Sequence, residues 1–233
     1  YFRNITEYVK NGGALLVSVG PVFATQRSLY RTPLGTILPA APLGDVLETG
    51  FKPKVTDIGQ RHPVTTGLPQ AGEPGKEPQW GRWFRLVTAR TDHGNAVLEG
   101  AEGKPLVILD RVGEGRVAQM MSDHLWLWNR GIDGGGPQPE LVRRVAHWLM
   151  KEPDLEEERL TAGGRGMVLD IRRQTMSDDP GQTYSETCET ISGGSLTRSS
   201  AAVAGPRSVG GGAVSSTVRR FFLSKRGSSS CAV

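Results

Sequence analysis

The chain offers few groups able to do covalent chemistry: four histidines and two cysteines in 233 residues. Asp123-His124 is the most suggestive pair, because a carboxylate beside an imidazole tunes it for proton transfer. The plainer reading is a strand end with polar caps, with Trp126 and Trp128 packing over a sheet, because no activated nucleophile is evident. Ser122 lacks the flanking glycines of a strained nucleophile turn, and Ser18 lies inside an apolar run. His62 opens His62-Pro-Val-Thr-Thr-Gly-Leu-Pro69; it could serve as a base, although a histidine before proline in a loop reads as structural. His93 reads as a turn residue and His147 as a half-exposed helical one. Cys188 and Cys231 sit in a Ser/Gly-rich stretch without ligand-spaced partners, so neither a disulfide staple for a domain nor a zinc site is expected. No metal or cofactor is expected.

Two further places could hold a ligand. Gly20 follows the apolar run Leu15–Val19, and open α/β sheets bind ligands at the carboxyl ends of strands. Gly20 and Trp126 are therefore candidate ligand contacts, though neither phosphate-loop spacing of glycines is present and the bland role is a turn. Trp80, Trp83 and Phe84, with Arg82 and Arg85, form an aromatic–basic run that suits core or lid packing better than single-stranded nucleic acid.

These residues need elements to position them. Phe2, Ile5, Tyr8 and Val9 recur at helical spacing, and Gly12-Gly13 stops the helix. Ala14–Val19 then reads as a strand buried on both faces of a parallel sheet. Further strands are expected at Lys54–Ile58, Asn95–Leu98, Pro105–Leu109 and Arg116–Met121, the last two joined as a hairpin through Asp110–Gly115. Glu140–Met150 reads as a helix whose apolar face carries Leu141, Val145, Trp148 and Leu149. Asp154–Leu160 is acidic and helix-like, and Met167–Arg173 alternates as a strand does.

The organisation expected is an α/β domain over 1–152, a linker with the start of a β segment over 153–180, and a Ser/Gly/Arg-rich tail over 181–233. The tail buries too little apolar surface to offset the entropy of ordering it, which predicts disorder; a reading frame shifted at that point is an equal alternative to a natural linker. The net charge of +4 is carried by that tail, where Arg198, Arg207, Arg219, Arg220, Lys225 and Arg226 outnumber Glu186 and Glu189. The remainder balances to zero, which argues against a nucleic-acid-binding face; binding through the tail alone is the rival. No apolar run approaches the roughly 18 residues of a membrane helix. The chain opens Tyr-Phe-Arg-Asn without Met, as the middle of a longer protein does.

Taken together, four segments resemble the glutamine amidotransferase-like (class I, flavodoxin-like) domain. They are Tyr8-Val-Lys-Asn-Gly-Gly-Ala-Leu-Leu-Val17, the His62–Pro69 segment, the Pro105–Leu109/Arg116-Val117 hairpin, and Ser122-Asp-His-Leu-Trp-Leu-Trp128 before a helix ending in Trp148-Leu149. More narrowly the chain is similar to the version found in large bacterial membrane proteins, related to trehalose-utilisation-type domains, over residues 1–152. The resemblance implies a mostly parallel flavodoxin-like sheet, then a β-sandwich-like segment beginning near Glu156, with Val168–Asp179 similar to its first strand. It also implies a parent in the bacterial inner membrane, anchored upstream of Tyr1. The family's nucleophile elbow needs a Cys, yet the position after Leu15–Val19 reads Gly20-Pro-Val-Phe, and no His-x-Glu occurs. The expectation is a non-catalytic module that senses a small ligand or assembles with a protein partner. The rival is a hydrolase of the trehalose-utilisation type using His62, Asp123 and His124.

Overall fold

The computed structural model describes residues 1–72 and 77–157 and, beyond them, the backbone of 159–165, 168–174, 184–192, 195–203 and 216–222. The chain forms two compact units, Tyr1–Glu156 and Glu157–Val233.

Helix α1 (Phe2–Lys10) opens the first unit and turns Thr6 and Val9 inward. It stops where Gly12 takes φ +108°, a left-handed value that favours glycine, and the Gly13 N–H donates to the Tyr8 carbonyl at 2.9 Å. Strand β1 (Ala14–Ser18) follows. Next come β2 (Ala40–Leu47), the two-residue β3 (Lys54–Val55) and helix α2 (Asp57–Arg61), whose start is capped by Thr56 Oγ1 accepting from the Gly59 N–H at 2.9 Å. That cap ends the strand expected to run from Lys54 to Ile58. Strands β4 (Leu86–Thr91), β5 (Asn95–Glu99), β6 (Pro105–Val112) and β7 (Gly115–Met120) precede helices α3 (Trp126–Asn129) and α4 (Gln138–Leu149).

The central sheet has the order β1-β7-β6-β5-β3, and β2 pairs with β4 as a separate ribbon. The class is α/β, but the sheet is not mostly parallel. Only β1 and β7 run parallel among the described residues; β7–β6, β6–β5 and β5–β3 are antiparallel. The short turns at Gly100–Lys104 and Gly113-Glu114 make β5–β6 and β6–β7 antiparallel, while about a hundred residues separate the parallel pair. The second departure is β1 itself: it lies at the sheet edge, with Leu16 exposed, and not between two covering layers. The core sits on β6 and β7, whose Leu106 through Leu109, Val117, Ala118 and Met120 are buried in one cluster with Leu141, Val145 and Trp148 of α4. A second focus is aromatic: Trp128 lies 5.2 Å from Trp80 and 4.9 Å from Trp83, ring centre to ring centre.

Beyond α4 the acidic stretch expected to be helical is a single 3-10 turn (Pro153–Leu155) that leads into extended backbone at Glu156. The cause is electrostatic: the Glu156 carboxylate is held by Arg116 of β7 and by Arg111 of β6, which pulls the chain along the sheet.

In the second unit, β8 (Arg159–Arg165), β9 (Val168–Gln174) and β12 (Ser216–Phe222) form an antiparallel sheet in the order β12-β9-β8. β10 (Tyr184–Ser192) pairs antiparallel with β11 (Ser195–Val203). The strand expected at Met167–Arg173 is β9. Three extended segments thus fall within 181–233, the stretch whose composition predicts disorder. They hold its aromatic and most of its β-branched residues, among them Thr187, Thr190, Ile191, Val218 and Phe221. The rest of that stretch lies outside the described residues.

Candidate functional site

Because β1 and β7 are parallel, their carboxyl ends emerge side by side, and the residues that follow them meet. Gly20 and Asp123 are neighbours there: a Cβ on Gly20 would stand 3.2 Å from Asp123 Oδ2. Ser122 is buried and braces the turn. Its hydroxyl donates to the Arg85 carbonyl at 2.6 Å and accepts from the His124 N–H at 3.1 Å, while its own carbonyl accepts from Ser18 Oγ at 2.8 Å. Both serine protons are therefore committed to carbonyls.

Asp123 faces Arg85, whose Nη1 lies 3.2 Å from Oδ2 and whose Nε reaches Glu48 at 3.4 Å. The guanidinium bridges two carboxylates at the surface. His124 is largely covered, its side chain 15% exposed. Its Nδ1 accepts from the Phe84 N–H at 3.2 Å, which places the ring proton on Nε2, 3.7 Å from Asp123 Oδ1. Burial pushes the imidazole below its ordinary value; Asp123 opposes this and Arg85 reinforces it. The covered site therefore favours the neutral ring.

Trp126 stands edge-on to His124 at 6.4 Å and is half exposed. Phe84 is also exposed, with the Arg82 guanidinium 5.7 Å above its ring and Asp133 holding Arg82 at 2.7 Å. The exposed groups at this end of the sheet are thus the Trp126 ring beside His124 and the Arg85–Asp123–Glu48 cluster.

Of the residues singled out by sequence, the structure brings Gly20, Asp123, His124 and Trp126 together. His62 is elsewhere: its ring is fully buried, accepts from the Val64 N–H at 3.2 Å and meets Trp148 edge-on at 6.0 Å. Trp80 and Trp83 are core residues, Arg85 pairs with Asp123, Phe84 meets His124 through its backbone N–H, and Arg82 lies over the Phe84 ring. His93 pairs with Asp110 at 2.5 Å and His147 with Glu152 at 2.7 Å. Cys188 falls on β10, and Cys231 lies outside the described residues. Sequence reading missed Glu48, the partnership of Arg85 with Asp123, and the bracing role of Ser122. These contacts span 37 and 38 residues, and no local spacing signals them. Among the described residues, no three His, Cys, Asp or Glu side chains cluster as metal ligands do.

No protein-family model matches the chain, and no curated protein matches it. Among solved structures it is similar to a cytoplasmic protein of Salmonella typhimurium, at a TM-score of 0.52 and 23% identity over 64% of this chain. It is also similar to a cytoplasmic protein of Salmonella typhimurium LT2 (0.42, 22%, over 64% of this chain) and to a cold-adapted beta-galactosidase of Rahnella sp. R3 (0.43, 13%, over 95%). The matches span 59%, 57% and 30% of those proteins' own lengths. The first likeness is one of fold.

Proposed function

We propose that the first unit is a non-catalytic binding module, a glutamine amidotransferase-like domain of flavodoxin-like descent that recognises a small ligand or a protein partner at the carboxyl ends of β1 and β7. One observation carries the reading. The lone pair that His124 would need as a general base is engaged by the Phe84 N–H, and the carboxylate that would orient it is engaged by Arg85. A catalytic dyad keeps that lone pair aimed at a nucleophile; here it ties two loops together. What remains accessible is a recognition surface, with Arg85, Asp123 and Glu48 to orient a polar ligand and Trp126 to stack on its apolar face. The sequence supplies no thiol at the elbow, and Ser18 and Ser122 both donate to carbonyls.

The parent suggested by the resemblance, a bacterial membrane protein, belongs to the same proposal. Among the described residues no helix is long and apolar enough to cross a membrane. The rival hydrolase would require His62 to act on substrate from a fully buried position.

The test is a panel of amino acids, saccharides and carboxylic acids, read by amide NMR shifts of the full chain. Shifts at Gly20 and Asp123 to Trp126 without turnover are expected. Shifts confined elsewhere, no shifts at all, or ammonia release from glutamine that His124→Ala abolishes would overturn the reading.

A further inference from the structure

The turn after β7 is fastened to the entry of β4 by two neighbouring bonds of different character. Ser122 Oγ donates to the Arg85 carbonyl at 2.6 Å, and one residue earlier the Phe84 N–H donates to His124 Nδ1 at 3.2 Å. The first joins a hydroxyl to a carbonyl, and neither group titrates near neutral pH. The second depends on a lone pair that an imidazole keeps only while Nδ1 carries no proton. The backbone around them is fixed. The Trp83 N–H and carbonyl both pair with Phe51, and the Val87 N–H donates to the Met121 carbonyl at 2.8 Å. The His124 N–H is itself taken by Ser122 Oγ at 3.1 Å. Only the imidazole in this fastening can be turned by a proton from acceptor into donor.

We propose that His124 is a proton-operated latch: a proton on Nδ1 sets donor against donor at the Phe84 N–H, the ring swings off it, and the Asp123 end of the sheet rearranges. The bond and the proton exclude each other. The ring has little water to receive a charge where it lies, its side chain being 15% exposed. Among the described residues, the charged groups that face it are Asp123 of its own turn, Arg85 at the entry to β4 and Glu48 just after β2. Burial, the largest influence, lowers the titration of the ring; Asp123 and Glu48 oppose this, and Arg85 adds to it. The latch is therefore shut above that depressed value and opens as pH falls through it. The Ser122–Arg85 bond is insensitive to the proton, so the two loops stay joined while the ring leaves. An imidazolium then stands beside two carboxylates held by a single guanidinium and competes with Arg85 for Asp123. Trp126, edge-on to the ring at 6.4 Å, loses that neighbour. That the opening regulates recognition rests on the reading above; the opening itself requires no ligand.

Two-dimensional NMR of the full chain without ligand, from about pH 8 to about pH 5, tests the latch. At the upper end the neutral ring should carry its proton on Nε2. On acidification the Phe84 amide should shift upfield with the same midpoint as the ring. The amides of Gly20 and of Asp123 to Trp126 should follow, while that of Val87 stays in place. His124→Asn sets an amide oxygen near the Nδ1 position, an acceptor that does not titrate, so Phe84 and the Asp123 end should keep their neutral-pH positions throughout. His124→Ala removes the acceptor and should hold the Phe84 amide at its acid position at every pH. A neutral ring protonated on Nδ1, a Phe84 amide that does not follow the ring, or a His124→Asn chain that keeps the response would overturn the proposal. Because no ligand is present, these results stand apart from those of the ligand panel, which can fail while the latch holds.

Discussion

Arg116→Ala is expected to cost the first unit about 3–4 kcal/mol of unfolding free energy. The side chain enters the interior from the start of β7 and is 5% exposed. Its Nη1 donates to the Trp148 carbonyl at the end of α4, its Nη2 pairs with Glu156, and the guanidinium carbon lies 5.0 Å from the Trp148 ring. A hydrogen bond from a charged donor contributes about 1.5–3 kcal/mol and a shielded cation–π contact about 1–2. The penalty of an abandoned buried carboxylate is reduced, because Glu156 keeps Arg111 at 2.8 Å and is one-quarter exposed. Arg116→Lys retains the charge but loses the fork and the stacking, and should lose about half as much. Urea unfolding followed by tryptophan fluorescence isolates this unit, since all five tryptophans lie in it. The pH dependence adds a second readout. Burial pushes the Glu156 carboxyl up, yet Arg116 and Arg111 outweigh it and hold it below the usual carboxylate range. A depressed carboxylate contributes stability that is present above its unfolded value and lost as pH falls through its folded one, so the acid limb should be shallower in Arg116→Ala. A loss under about 1 kcal/mol, or identical acid limbs, would refute the account.

Other expectations are checked more simply. His124 should titrate by NMR below the ordinary histidine range, and Arg85→Ala should move its midpoint up by removing a nearby cation and releasing Asp123; an unmoved midpoint sinks the electrostatic description of the site. The sign for stability is that a neutral, covered imidazole favours folding above the unfolded histidine value and loses that contribution as pH falls through the depressed one. Glu140, gripped by Arg143 and Arg144, should titrate at about 2, and Arg144→Ala should raise that midpoint; a value near that of a free glutamate would show the pair to be open in solution. Trp128→Phe removes the donor to the Gly81 carbonyl, made at 2.8 Å in the middle of the aromatic cluster, and should cost about 2–3 kcal/mol in the same urea assay; a loss within error would contradict that role.

Local signals carried much of the fold. The helix stop at Gly12, the hairpin turn at Gly113 and the apolar face of α4 each depend on residues a few positions apart, and each forms as its pattern implies. What the pattern could not convey was the partner of each strand. Ala14–Val19 reads as doubly buried because continuous apolar runs usually are, yet its exposure depends on whether a neighbour exists beyond it, which no property of the run encodes. β2 and β4 went unseen because Pro42 and Gly44 interrupt the first and a register shift between Pro42 and Val46 breaks the alternation. In the site, Asp123-His124 was visible as adjacent letters. The roles were not, since Phe84 and Arg85 come from the segment leading into β4 and Glu48 from just after β2, and they convert a dyad in the sequence into two separately tethered side chains.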